Sequence, residues 1–238
     1  AYEYDKNGNQ TRVIFPDGTD CAWTYDDEGN VLSETDGNGN TTTYEYDTAG
    51  NLTKTIHADG GEEKKEYDTN GCLIKETDPL GYETVYTYDE NGNNTSVTDA
   101  AGNCTKYRYD AAGNLILEED ALGNRTGYEY DAAGNLLCVH YADGTETRYM
   151  YDTQANVLSM MDQLGNRTAY EYDALGNLVK TIYPDGGTEE NTWSAGGNLL
   201  SKTDALGNKT EYTYDANGNL LTETDALGRT TKHTYNEL

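Results

Sequence analysis

The stretch that decides the fold is Thr213-Tyr-Asp-Ala-Asn-Gly-Asn-Leu-Leu-Thr-Glu-Thr-Asp-Ala-Leu-Gly-Arg229, because the rest of the chain repeats it with small changes. An aromatic residue anchors each copy at a constant spacing of 21 residues, without insertion or deletion. These anchors are Tyr4, Tyr25, Tyr46, Tyr67, Tyr88, Tyr109, Tyr130, Tyr151, Tyr172, Trp193, Tyr214 and Tyr235. Self-similarity at roughly 20 to 50 residues is typical of repeat architectures, whose units cannot bury a core alone. We therefore predict a single array of about 11 repeats over residues 1–238, as a fragment of a longer protein.

Each repeat carries two chain-reversal signals. The first follows the anchor, as in Asp215 to Gly218, and the second is like Asp225-Ala-Leu-Gly228. Asp at the first position of a type I turn accepts a local backbone hydrogen bond, and the glycine takes the left-handed conformation of a hairpin with a bulge. The prolines occupy the second position of the second turn, where their fixed φ suits type I geometry. They are Pro16, Pro79 and Pro184.

Two short Thr-rich segments of strand length lie between the turns, one like Asn219 to Thr224 and one like Lys209 to Tyr214. In the second segment, alternation places Tyr212 and Tyr214 on the same face. Two strands per repeat make about 22 strands, and open twisted sheets of that size usually curl, split or flatten. The predicted fold class is all-β: 21-residue antiparallel hairpins forming a spiralling strip that turns its Tyr and Leu face inward or between windings. A compact parallel β-solenoid is the alternative, although sharp type I turns favour hairpins.

Composition limits the classes of partner. The chain has 16 basic and 43 acidic residues, a formal net charge of −27, and 22 Tyr with one Phe, so tyrosine must supply much of the buried area. A strongly negative surface repels phosphate backbones and anionic lipids, so we expect no nucleic-acid partner and no membrane insertion by this segment. Cationic partners and metal ions remain open.

The candidate reactive residues do not form a recognisable motif. The four cysteines lie at four different places in the repeat, which favours incidental thiols over a disulfide framework or a zinc site. The three histidines also lie at unrelated positions with no nucleophile motif nearby, so we interpret them as surface substitutions. We predict no catalytic, cofactor-binding or metal-ligating residue. These cysteines and histidines are Cys21, Cys72, Cys104, Cys138, His57, His140 and His233.

Aspartates recur directly after the anchors, where a turn needs a side-chain acceptor. Catalysis does not need ten copies of one carboxylate, so we assign them to the turns. A ladder of calcium ligands is the alternative, because aligned Asp and Asn oxygens suit Ca²⁺. We therefore expect no cofactor and keep calcium as the open possibility. The ten residues are Asp5, Asp26, Asp47, Asp68, Asp89, Asp110, Asp131, Asp152, Asp173 and Asp215.

The motif Tyr-Asp-x-x-Gly-Asn-Leu, as in Tyr46 to Leu52, Tyr130 to Leu136, Tyr172 to Leu178 and Tyr214 to Leu220, resembles the RHS family, also called YD repeats. The likeness covers the whole chain. The family includes bacterial polymorphic toxins, the B and C components of insecticidal Tc toxins, and teneurins. The resemblance implies a strip of hairpins that winds into a hollow shell, commonly around a C-terminal toxic domain.

This sequence departs from the family pattern in several places. It lacks a DPxGL-like motif, since the nearest string, Asp78 to Tyr82, is an ordinary second turn. Trp193-Ser194 replaces a Tyr-Asp pair, Ala155 replaces a turn glycine, and Cys72 replaces an Asn. We interpret these as single-site drift that leaves every repeat in place.

The resemblance and the repeat together predict a non-enzymatic structural segment. We expect it to form the shell or rod wall of a large bacterial protein, secreted or at the cell surface, whose partner is its own C-terminal toxin or other cargo. The alternative is an adhesin-like module that recognises glycan or protein, since exposed tyrosine rings stack on sugars. An enzyme is the third option, and its mark would be one asymmetric pocket that the repeat does not explain.

Overall fold

The computed structural model describes residues 1–235, so the last three residues of the predicted array lie outside the described part. All regular structure in that part is β-strand. Within it there is no helix long and apolar enough to span a membrane. The chain forms two compact units, the first from Ala1 to Asn124 and the second beginning at Arg125.

The first unit contains twelve strands. They are β1 Tyr2–Tyr4, β2 Gln10–Ile14, β3 Asp20–Tyr25, β4 Val31–Thr35, β5 Thr41–Tyr46, β6 Leu52–Ile56, β7 Glu62–Tyr67, β8 Leu73–Thr77, β9 Glu83–Tyr88, β10 Asn94–Thr98, β11 Cys104–Tyr109 and β12 Leu115–Glu119. Each strand pairs antiparallel with the next one along the chain.

The second unit is built the same way. Its strands are β13 Arg125–Tyr130, β14 Leu136–His140, β15 Glu146–Tyr151, β16 Val157–Met161, β17 Arg167–Tyr172, β18 Leu178–Ile182, β19 Thr188–Trp193, β20 Leu199–Thr203, β21 Lys209–Tyr214, β22 Leu220–Thr224 and β23 Thr230–Lys232. Consecutive strands again pair antiparallel. The hairpin prediction is confirmed, and the alternative of a parallel solenoid is wrong.

The two turns of each repeat share one backbone geometry, which explains why the strands reverse direction. In the first turn, Gly50 N–H donates to the Asp47 carbonyl at 3.1 Å, and Asp47 N–H donates to the Asn51 carbonyl at 2.9 Å. The second turn repeats this pattern from Asp36 to Asn40. The glycine has a positive φ in both turns, +86° at Gly50 for example, as the predicted left-handed bulge requires. The predicted strand segments also agree, since Lys209–Tyr214 is β21 and β22 starts one residue after the predicted Asn219.

A second irregularity lies opposite the anchor residue of each first hairpin. Between β7 and β8, Glu66 pairs with Lys75 and Tyr67 pairs with Leu73, so one extra residue of β8 is left between them. The same shift occurs in each first hairpin of the described repeats. Such bulges bend a strand and increase its local right-handed twist. Sequence reasoning predicted the bulge at the turn glycine and not this one in the ladder.

Each unit is a single layer of sheet. Among the described residues of each unit, strands contact only their neighbours along the chain. The anchor Tyr67 is therefore half-buried, and within residues 1–235 the buried apolar residues are Cys138 and Val139. The sequence predicts that the Tyr and Leu face turns inward or between windings. Packing between windings is not found within either unit, because no second layer of described residues lies over this face, and its anchor rings are left half-buried.

Candidate functional site

The periodic aspartates act as turn acceptors. Asp47 Oδ1 accepts from the backbone N–H groups of Ala49 and Asn51, both at 2.9 Å, and Oδ2 accepts from Asn51 Nδ2 at 3.0 Å. The side-chain hydrogen bond from Asn51, followed by the backbone bonds, lowers the pKa of Asp47. All ten aspartates assigned to the first turn accept such backbone bonds. These donors occupy most of the lone pairs of the Asp47 carboxylate, so a calcium ion would compete with them for the same two oxygens.

Several anchor residues tie their hairpin to the one before it. The Tyr67 hydroxyl donates to the Leu52 carbonyl at 2.9 Å, 15 residues earlier in the chain. The ladder between β6 and β7 ends at the pair of Lys54 and Lys64, so the hydroxyl bonds to the start of β6 beyond the last paired residues. This bond recurs at several other anchors. They are Tyr25, Tyr46, Tyr88 and Tyr151.

Trp193 keeps this interaction with a different side chain. Its Nε1–H donates to the Leu178 carbonyl at 2.9 Å, again 15 residues earlier. Asn191, which takes the place of the second aromatic residue, donates from Nδ2 to the same carbonyl at 3.2 Å. The replacement of Tyr by Trp thus preserves a donor. The sequence predicted only single-site drift here, because the hydrogen bond joins β19 to β18 and no nearby residue indicates it.

The tyrosine faces remain partly open. Tyr86 donates a short hydrogen bond to Glu76, and burial together with this bond raises the pKa of Tyr86 to about 12. Its neighbour Tyr88 donates to the Leu73 carbonyl at 2.8 Å. Both rings are half-buried. These rings, which were considered as a glycan-binding surface, are hydrogen-bonded within the sheet and remain partly exposed to solvent.

One cluster in the second unit breaks the repeat pattern. Cys138 and His140 lie two residues apart on β14, and Glu146 on β15 is paired with His140. Cys138 Sγ is 3.9 Å from His140 Nδ1 and 3.8 Å from Glu146 Oε2. His140 Nδ1 is 3.6 Å from Glu146 Oε2. His140 Nε2 lies 3.0 Å from Glu129 Oε1, on the strand that pairs with the other side of β14.

Charged side chains flank this cluster, with Glu129 beside His140 and Arg148 beside Glu146. Arg148 holds Glu146 through Nε at 2.7 Å and Nη2 at 3.0 Å, and this hydrogen-bonded ion pair lowers the pKa of Glu146. Cys138 is 3% exposed. Its burial, with a smaller contribution from the Glu146 charge, raises the pKa of the thiol. The side chain of His140 remains 44% exposed, so the cluster is accessible from solvent.

A cavity of about 360 Å³ adjoins the cluster, and Cys138, Arg148 and Met161 are among its lining residues. The next repeat carries Ser159, Met161 and Arg167 where this one carries Cys138, His140 and Glu146. The cluster is therefore a local departure and not a periodic feature.

These three residues were not predicted to lie together. Two signals were available: Cys138-Val-His140, which alternation puts on one face of a strand, and the hairpin register that sets Glu146 opposite His140. The other candidates are not assembled in this way. His57 contacts Glu63 at 3.0 Å, Cys21, Cys72 and Cys104 are free, and the backbone N–H of His233 donates to Leu221.

Several solved structures share this fold. A crystal structure titled TcdB2-TccC3-Cdc42 matches with a TM-score of 0.58 and 19% identity, covering 94% of this chain and 16% of that one. TcdB2-TccC3 without its hypervariable C-terminal region matches with a TM-score of 0.57 and 18% identity, over 97% and 16% of the two chains. A Photorhabdus luminescens Tc holotoxin pore matches with a TM-score of 0.52 and 17% identity, over 97% and 18%.

The sequence comparisons agree with the fold. No curated protein matches this chain. A family model described as RHS Repeat matches it at residues 25–62, 67–103, 91–123, 109–146, 151–188, 193–230 and 214–238. With most of its length matched in the 21-residue register of its hairpins, this chain belongs to the RHS repeat family.

Proposed function

We propose that this chain is a structural segment, one continuous RHS array that forms part of the wall of a larger bacterial protein and encloses a C-terminal toxin or other cargo. The observation that supports it most is the unbroken 21-residue register, in which hairpin after hairpin is joined by the same turns and, at several anchors, by the same hydrogen bond. A wall needs uniform connections along its length, whereas a catalytic pocket needs one distinct place.

The three solved structures compared above are about six times longer than this chain, which covers 16–18% of them. This supports the proposal that the array is a fragment of a longer protein, secreted or at the cell surface. The formal net charge of −27 would keep such a wall soluble and away from other anionic polymers. We propose no enzymatic role for the array itself.

Protease protection tests the proposal on the full-length protein. We expect the segment that follows the array to resist digestion in the native protein and to become sensitive when mild denaturant opens the array. The same segment expressed alone is the control and should be cleaved quickly. Equal cleavage rates for the enclosed and the isolated segment would show that the array does not enclose it.

A binding module is the second candidate, favoured by exposed leucines at the tips of the second turns. These residues are Leu80, Leu122, Leu164, Leu206 and Leu227, each at least 78% exposed. Together with the half-buried tyrosine rings, these leucines offer apolar contacts to a protein or glycan. Saturable binding of this chain to a glycan array, lost on denaturation, would favour this candidate over the wall.

A further inference from the structure

We propose that Cys138, His140 and Glu146 form a site for a zinc-class divalent cation in the second unit. A thiolate, an imidazole and a carboxylate are the three kinds of ligand that Zn²⁺ takes in proteins. The proposal goes beyond the wall function and departs from the sequence-based expectation of no metal ligand.

The distances fit such an ion. The three candidate ligand atoms are separated by 3.9, 3.8 and 3.6 Å. A point about 2.2 Å from each of them therefore exists, which is close to the zinc bond lengths of about 2.3 Å to sulfur, about 2.0–2.1 Å to nitrogen and about 2.0–2.2 Å to oxygen. Tetrahedral coordination brings ligand atoms to about 3.4–3.6 Å from one another, so small side-chain rotations would complete the geometry. The fourth position would be taken by water or by an external ligand.

The backbone holds these groups in place. His140 and Glu146 are partners in the ladder of β14 and β15, and Cys138 is two residues before His140 on the same face. On the other side of β14, Gly127 is the ladder partner of His140, so no side chain from that position competes for the space. Cys138 is 3% exposed while the imidazole of His140 reaches solvent, which gives an ion an entry path.

Glu129 supplies the outer contact that metal-bound histidines need. Its Oε1 lies 3.0 Å from His140 Nε2, which leaves Nδ1 for the cation. A carboxylate in this position fixes the ring and the tautomer of a ligating histidine. Glu129 is thus a positioning residue, and it would not touch the ion.

Arg148 is the group that opposes cation binding. It contacts both oxygens of Glu146, so its charge reduces the attraction for an ion. Glu146 Oε1 is free to stay with Arg148 Nε while Oε2 turns to the cation. The thiol proton leaves as the metal binds, because the thiolate is the ligand form of cysteine.

Cobalt spectroscopy of the whole chain tests the site. Co²⁺ takes the place of Zn²⁺, and a thiolate ligand gives a charge-transfer band in the near ultraviolet. We expect one Co²⁺ per chain with this band and its removal by added Zn²⁺. A complex without the band, or no saturable binding, would overturn the proposal, since carboxylates elsewhere on this acidic surface cannot produce it.

Variants locate the site. Cys138→Ser should abolish the band, and His140→Ala and Glu146→Gln should each weaken Co²⁺ binding at least about tenfold. Glu129→Gln should weaken it by roughly 10 to 100 fold while keeping the band, as expected for a positioning residue. Cys72→Ser and His57→Ala are matched controls and should change neither. A band that survives in C138S with an unchanged circular dichroism spectrum would assign the metal elsewhere and refute the site.

Discussion

At the scale of a single residue, the strictest demand of the repeat is a left-handed backbone at the last position of each turn. Glycine meets it in the turns described, with φ between +78° and +93°. Within residues 1–235 the one non-glycine residue at positive φ is Ala155, at +66°. The Asp152 turn nevertheless keeps its hydrogen bonds, with Ala155 N–H donating to the Asp152 carbonyl at 3.2 Å. The turn therefore forces the alanine into a conformation that its Cβ disfavours.

Ala155→Gly should stabilise the protein. The left-handed conformation costs an L-residue about 1–2 kcal/mol, so glycine at this position should stabilise the folded state. The greater conformational entropy of glycine in the unfolded chain offsets part of this stabilisation. We expect a net increase of about 0.5–1 kcal/mol in the free energy of unfolding, measured by urea denaturation. Ala133→Gly is the control, because it lies in a turn whose left-handed position is already Gly134. A control that stabilises as much as A155G would contradict the explanation by backbone strain.

Another residue-scale contribution is the anchor hydroxyl. Tyr67→Phe removes the bond to Leu52 and leaves the ring in place. It should lower the free energy of unfolding by about 0.5–1.5 kcal/mol, the usual net value of one hydrogen bond. Tyr82→Phe, on a ring 60% exposed at another position of the repeat, should change it by less than about 0.5 kcal/mol. Equal changes in the free energy of unfolding for the two variants would show that the bond from the Tyr67 hydroxyl does not stabilise the array.

At the scale of the element, the hairpin is the unit that the sequence makes predictable. Its turns depend on residues close in the chain, such as Asp47, Gly50 and Asn51, so their geometry follows from local chemistry. Two other features depend on neighbouring strands: the bond from Trp193 to Leu178 and the bulge opposite Tyr67. No residue type at a single position predicts either of them. The cluster at Cys138 was missed for the same reason, because the register of β13, β14 and β15 assembles it.

Deletions test whether the pair of strands is the unit. Removing Asp89 to Tyr109 takes out 21 residues and joins Tyr88 to Asp110, which restores the Tyr-Asp motif. We expect the melting temperature to fall by less than about 4 °C, because each repeat contacts only its neighbours. Removing the ten residues from Asp99 to Arg108 deletes most of β11 and reverses the direction of the strands that follow. That variant should lose its cooperative transition by circular dichroism, and similar melting curves for both deletions would argue against a two-strand unit.

At the scale of the whole molecule, two electrostatic effects oppose each other as the pH falls. A net charge of −27 destabilises the folded chain by repulsion, and protonation relieves it. The turn aspartates act in the other direction. The pKa values of Asp47, Asp89 and Asp110 are lowered in the folded state. The larger cause is the side-chain hydrogen bond from the Asn four residues later, and the backbone hydrogen bonds are the smaller one. Their stabilisation is fully present above the unfolded pKa of about 3.9 and is lost as the pH falls through the lower folded values.

Salt separates the two effects and so decides which one dominates. In 1 M NaCl the screening length is about 3 Å, so surface repulsion is small while the short hydrogen bonds of the turns persist. We expect the melting temperature in 1 M NaCl to fall as the pH drops from about 5 to 3, and to fall less steeply at low salt, where protonation also relieves repulsion. A variant with Asp47→Asn, Asp89→Asn and Asp110→Asn keeps a turn acceptor at each position without its titration, so its acid-induced loss should be smaller. A melting temperature that stays constant or rises on acidification in 1 M NaCl would mean that the turn carboxylates do not govern the stability of the array.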